Sequence, residues 1–154
     1  MAEKYMEVKI IITIAIINGP NINMLGMRQP EIYGQMRWKE IEEKIIETFH
    51  NDDVVLEFYQ DNCEGSIINY IQENYSKWDG IVINPASLTI NGYGLLECLI
   101  AVNIPFIEVH MSNIFFRGSW HAKSIFSKNS VAVIVGLKEK VYQYGVKGLI
   151  DYLK

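Results

Sequence analysis

Two cysteines, Cys63 and Cys98, stand far apart in this chain and form no CxxC pair. That spacing speaks against a disulfide scaffold and for a reducing compartment. No block of lysine or arginine runs along the sequence, and the net charge is −4. Nucleic acid is therefore a poor candidate for the main partner. Three histidines, His50, His110 and His121, give no HExxH or other metal-ligand spacing, so no metal site is expected. GxxxxGK[ST] and GxGxxG are both missing, which removes the usual sequence support for nucleotide phosphate binding. Apolar runs are short. The longest near the start, Ile10 to Ile17, cannot span a bilayer. Glu3 and Glu7 interrupt what a signal peptide would need as a basic start, and Asn18-Gly19-Pro20 ends the run. A cytoplasmic protein with no membrane partner is expected. Repeats, low-complexity tracts and linkers are missing as well, so residues 1–154 read as a single domain.

What is present is an alternation of short apolar strands with amphipathic helices. Ile10 to Ile17 is a β-branched run of the kind found in a strand covered on both faces. A helix is predicted over Trp38 to Phe49, with Ile41, Ile45, Ile46 and Phe49 inward. Val54 to Tyr59 reads as a strand and Asn62 to Tyr75 as a helix with Ile67, Ile68 and Ile71 inward. Gly80 to Ile83 is the third strand, followed by a helix through Leu95 to Val102. Pro105 to Val109 is the fourth strand, ending at His110. A loop and short helix fill Ser112 to Phe126, Val131 to Val135 is the fifth strand, and Lys138 to Leu153 closes as a helix. Five such alternations predict an α/β three-layer sandwich, flavodoxin-like, with a five-stranded parallel sheet in the order 2-1-3-4-5.

Ligands of such sheets sit beyond the carboxyl ends of the strands. Three polar strand ends qualify: Asn18-Gly19-Pro20-Asn21, Asn84-Pro85-Ala86-Ser87, and Glu108 to Asn113. The first loop runs on to Gly34 and carries Arg28 and Tyr33. A cation beside a tyrosine hydroxyl favours the phenolate, a usable base. The same spacing also fits a packed tyrosine and a solvated arginine. Glu108 and His110 are two apart, so they share a strand face and the carboxylate can orient the imidazole. A plain strand-end histidine fits equally. Trp38, Trp78 and Trp120 read as packing residues, Trp120 lying near the proposed site. Both thiols read as buried or semi-buried.

Ile17-Asn18-Gly19-Pro20-Asn21-Ile22-Asn23-Met24-Leu25-Gly26 with Arg28, Pro30 and Tyr33-Gly34 resembles the opening of the type II 3-dehydroquinate dehydratases. The similarity continues through Glu64-Gly65, Asp79 to Pro85, Glu108 to Ile114, Arg117, Ser124 and Val133 to Leu137, nearly the whole chain. The resemblance implies a flavodoxin-like homododecamer of the shikimate pathway, without metal or organic cofactor. Such an enzyme dehydrates 3-dehydroquinate to 3-dehydroshikimate through an enolate. By the same resemblance Tyr33 is the base, Arg28 keeps it ionised, and Asn21 holds a water against the enolate. His110 is the acid, Glu108 positions it, and Asn84, Met111 and Ser112 bind the substrate carboxylate.

Three further positions depart from the family pattern. Ile90 stands where the family has a substrate-binding histidine. Leu96-Glu97 replaces an Arg-Asp pair whose aspartate acts across a subunit contact, and His121 replaces a substrate-binding arginine. Isoleucine cannot hydrogen-bond, so a hydroxyl facing it loses about 1–3 kcal/mol. The alternatives left open are a slow dehydroquinase, a divergent paralogue acting on a related cyclic hydroxy-keto carboxylate, and a non-catalytic subunit that binds a small carboxylate.

Overall fold

The computed structural model describes residues 10–154; Glu3 and Glu7 lie outside that range. Five strands form one parallel sheet: β1 (Ile12–Asn18), β2 (Val54–Gln60), β3 (Gly80–Asn84), β4 (Phe106–His110) and β5 (Ala132–Val135). Their order is β2-β1-β3-β4-β5, the order expected from the alternation. The helices are α1 (Pro30–Tyr33), α2 (Trp38–Thr48), α3 (Glu64–Asn74), α4 (Tyr93–Val102), α5 (Ile114–Arg117) and α6 (Lys140–Leu153).

Side chains alternate across a strand, and the core divides accordingly. Ile14 and Ile16 of β1 join Ile41 and Ile45 of α2 and Val141, Val146 and Leu149 of α6 on one face. Ala15 and Ile17 join Ile67 and Ile71 of α3 and Leu95 and Leu99 of α4 on the other. Helices therefore cover both faces, which is why β1 is apolar from Ile14 to Ile17 and carries no alternating pattern.

Several element ends differ from expectation for local reasons. β1 starts at Ile12, where pairing with Val54 begins; Ile10 and Ile11 are exposed. On α2 the buried stripe is Ile41, Ile45 and Phe49, whereas Ile46 lies one step around the helix and is exposed. α3 begins at Glu64 because Asp61 Oδ1 accepts the Cys63 N–H at 2.7 Å and holds that segment as a turn. α4 begins at Tyr93, and Glu64 Oε1 accepts the Leu95 N–H of its first turn at 2.9 Å. Cys98 is buried, but Cys63 is exposed, correcting the reading of both thiols as covered.

The sheet brings the polar strand ends together. Asn18 is in register with Asn84, and the Gly19 N–H donates to the Asn84 carbonyl at 2.8 Å. A Cβ at Gly19 would collide with the Pro85 carbonyl, so glycine is required where the loops after β1 and β3 diverge. Among the described residues no helix is long and apolar enough to cross a membrane.

Candidate active site

A cavity of about 250 Å³ opens beyond the carboxyl ends of β1, β3 and β4. Asn21, Arg28 and Tyr33 line it from the first loop, Asn84 and Ile90 from β3 onward, and His110, Met111, Ser112, Arg117 and His121 from β4 onward. Ten of the eleven residues picked from the sequence thus meet at one cavity or, for Glu108, directly behind it. Glu97 is exposed on α4 and does not line the cavity.

The backbone around this cavity is held in unusual conformations. Asn21, Gln29 and Ala86 all have positive φ (68°, 38° and 53°), and all three line the wall. A side chain in the left-handed region costs about 1 kcal/mol or more. At Asn21 the turn is fixed from outside, since its N–H donates to Asn62 Oδ1 at 2.9 Å. The Asn18–Gly34 segment is not an open loop. It contains a 3-10 turn at Ile22–Met24 and the α1 turn, which Pro30 starts and which presents Tyr33 to the cavity.

Two guanidinium groups flank Tyr33, and they differ in what they touch. Arg28 lies over the ring face, 4.5 Å from its centroid. Arg117 Nη1 donates to the Tyr33 oxygen at 3.0 Å and to Ser112 Oγ at 3.4 Å. The cation at the hydroxyl is therefore Arg117, while Arg28 makes a cation–π contact. The Nε of Arg28 is buried with no hydrogen-bond partner among the described residues. The other Arg117 amino group, Nη2, donates to His121 Nε2 at 2.8 Å, and the His121 ring stacks on Trp120 at 3.6 Å. Burial, and then the Arg117 charge, hold the His121 imidazole below its ordinary value.

Across the cavity, His110 Nε2 donates to Glu108 Oε1 at 2.6 Å. Glu108 is fully buried, yet its charge is well provided for. Ser124 Oγ donates to Oε1 and Ser127 Oγ to Oε2, each at 2.6 Å. Burial pushes the carboxyl up, and the donors from His110, Ser124 and Ser127 together outweigh it, so its value falls below the usual one. With Nε2 committed to Glu108, Nδ1 is the His110 nitrogen left for a ligand.

The floor holds a network that sequence reading did not find. Tyr142 of α6 is completely buried. Its hydroxyl donates to Asn18 Oδ1 at 2.7 Å and accepts from Asn84 Nδ2 at 2.8 Å. Asn84 Oδ1 accepts the Ala86 N–H at 3.2 Å. Burial raises the Tyr142 phenol, partly offset by the Asn84 bond, so Tyr142 is a neutral structural donor. A lone tyrosine on the apolar face of a predicted helix gave a signal only in hindsight. Arg117 and Ser124 carried the resemblance without a stated role, and Ser127 was not singled out. Their signal was the strand-end rule, extended past Asn113 into the segment after β4.

No three His, Cys, Asp or Glu side chains among the described residues come together as metal ligands. A family model for class II dehydroquinases matches residues 12–150. A 3-dehydroquinate dehydratase of Haemophilus influenzae is 44% identical over 142 residues, covering 91% of this chain and 94% of that one. A catabolic 3-dehydroquinase of Talaromyces marneffei is 43% identical over 135 residues, covering 88% of this chain and 77% of that one. The crystal structure of the type II dehydroquinase from Butyrivibrio crossotus superimposes with a TM-score of 0.87 at 37% identity, covering 91% of this chain and 98% of its own. By the extent of these matches, the chain belongs to the class II dehydroquinase family.

Proposed function

We propose that this chain is a hydro-lyase that converts 3-dehydroquinate to 3-dehydroshikimate through an enolate. The observation that carries this reading is the pairing, in one cavity, of Tyr33 under an arginine donor with His110 backed by a buried carboxylate. The Tyr33 oxygen removes the proton next to the ketone, and the Arg117 N–H stabilises negative charge on that oxygen. The electrons of the broken C–H bond form the enolate, against which Asn21 holds a water. As the enolate collapses, the C–O bond to the departing hydroxyl breaks. His110 supplies the proton that lets it leave as water, and the ring gains the conjugated double bond. Glu108 fixes the imidazole and balances its charge. Arg28, with a buried unpartnered Nε, suits an anionic substrate. Asn84, oriented by Tyr142, and the Met111-Ser112 segment accommodate its carboxylate.

The reading needs no organic cofactor or metal step. We place the enzyme in the cytoplasm as a homo-oligomer, a dodecamer by resemblance. Glu97 is exposed and does not line its own chain's cavity, so the substrate-binding role that the resemblance gives its position would need a neighbouring copy. Light scattering checks this: a monomer overturns it.

A second reading concerns substrate range. Ile90 lines the cavity and offers no hydrogen bond, and His121 is already engaged by Arg117. Both features favour a related cyclic hydroxy-keto carboxylate with fewer ring hydroxyls to satisfy. Turnover of purified protein with 3-dehydroquinate, followed by absorbance of the conjugated enone, tests the main reading. Turnover restricted to a deoxygenated analogue supports the second.

A further inference from the structure

We propose that His121 is a positioning residue for Tyr33: its neutral imidazole accepts one amino group of Arg117 and so holds the other on the Tyr33 oxygen. The proposal rests on the reading of Tyr33 as base.

A guanidinium is planar, with its donors in a fixed fork, so anchoring one amino group sets the direction of the other. Nη2 is anchored on His121 Nε2 at 2.8 Å, and Nη1 meets Tyr33 at 3.0 Å and Ser112 at 3.4 Å. None of these partners is a carboxylate, so the imidazole is the acceptor that holds the outer side of the fork. Arginine only donates, hence Nε2 must carry a lone pair and the proton sits on Nδ1. The chain is shaped to make the contact. Gly118 (φ 63°) and Ser119 (φ 54°) have consecutive positive φ angles, and Ser119 opens the 3-10 turn Ser119–Ala122. This brings the ring back to Arg117, four positions earlier on α5. Trp120 stacks on the ring at 3.6 Å and limits its rotation.

The arrangement is specific to the neutral ring. An imidazolium has no lone pair at Nε2 and repels the guanidinium. The charged and titratable groups around the cavity are Arg117 from α5, Arg28 and Tyr33 from the segment after β1, and His110 from β4 with Glu108 behind it. Arg117 is the one in contact with His121, and both burial and that charge favour the neutral form. At neutral pH the fork is held. In acid His121 protonates, Arg117 loses its outer acceptor, and Tyr33 loses a fixed donor.

The test compares wild type, His121→Leu and His121→Gln from about pH 5 to 9, together with NMR titration of the histidine rings. Leucine has no acceptor; glutamine offers a neutral oxygen at every pH. His121→Leu is expected to lower kcat about tenfold with little change in KM. His121→Gln is expected to recover most of the rate and to lose the acid limb contributed by His121. In wild type the His121 ring should titrate below the ordinary histidine value, and Arg117→Gln should move it upward. A raised KM with unchanged kcat in His121→Leu, or an acid side of the pH profile in His121→Gln that is unchanged from wild type, overturns the proposal. So does a His121 titration that Arg117→Gln leaves unmoved. Absence of turnover in wild type counts instead against Tyr33 as base, and the NMR comparison still judges the Arg117–His121 contact.

Discussion

Arg117 Nη1 lies 3.0 Å from the Tyr33 oxygen, although 84 positions separate the two residues in sequence. Arg28, five positions before Tyr33, meets the ring face instead. The two arginines are therefore expected to fail differently when removed. Arg117→Gln should lower kcat about 10²-fold, the scale of a compromised general base, with KM less affected. Arg28→Gln should also raise KM, because it takes from the cavity wall a cation whose buried Nε has no hydrogen-bond partner among the described residues. Steady-state kinetics of both variants check this; equal effects of both on kcat alone would contradict it.

Glu108 offers a test that depends on pH. Its carboxyl is depressed, so the stability it contributes is present above its ordinary value of 4.5 and is lost as pH falls through the depressed one. Ser127→Ala removes one of the donors that depress it. The penalty, about 1–3 kcal/mol for a bond to a buried charge, should be largest near neutrality and shrink below pH 4.5. Denaturant melts at several pH values measure it, and a pH-independent penalty would contradict the assignment.

Tyr142→Phe keeps the ring in the core and removes the hydroxyl between Asn18 and Asn84. Two buried amide groups then lose a partner, at a cost of about 1–3 kcal/mol. Thermal melting should show the loss. If Tyr142 also orients Asn84 for the carboxylate, KM rises while kcat changes less.

Ile90→His, alone and with His121→Arg, tests whether the altered cavity wall limits dehydroquinate binding. The single variant should raise kcat/KM about tenfold by restoring one hydrogen bond. The double variant removes the acceptor on Arg117 and is expected to lower KM while also lowering kcat. An unchanged kcat/KM in Ile90→His would show that Ile90 does not limit binding.

The sheet order was legible because β1, β3 and β4 are mostly apolar strands that end in polar residues, a pattern that suits a covered parallel sheet. Those endings also located the cavity. Glu108 and His110 could be paired from their spacing alone, because a strand's period of two puts them on one face. The partner of the Tyr33 oxygen was not legible, since spacing within a loop says nothing about a side chain arriving from another element. Tyr142 escaped for a similar reason. Helical periodicity places it in the core, but a hydroxyl among apolar neighbours shows its partners only once β1 and β3 are set side by side.

The most direct test of the proposed activity is the rate of enone formation when purified protein is mixed with 3-dehydroquinate, for wild type and Tyr33→Phe side by side. The account predicts turnover by wild type and a loss of about 10²-fold or more in the variant, which keeps the ring and lacks the oxygen. Turnover that survives in Tyr33→Phe, or none by a folded wild type, would contradict it.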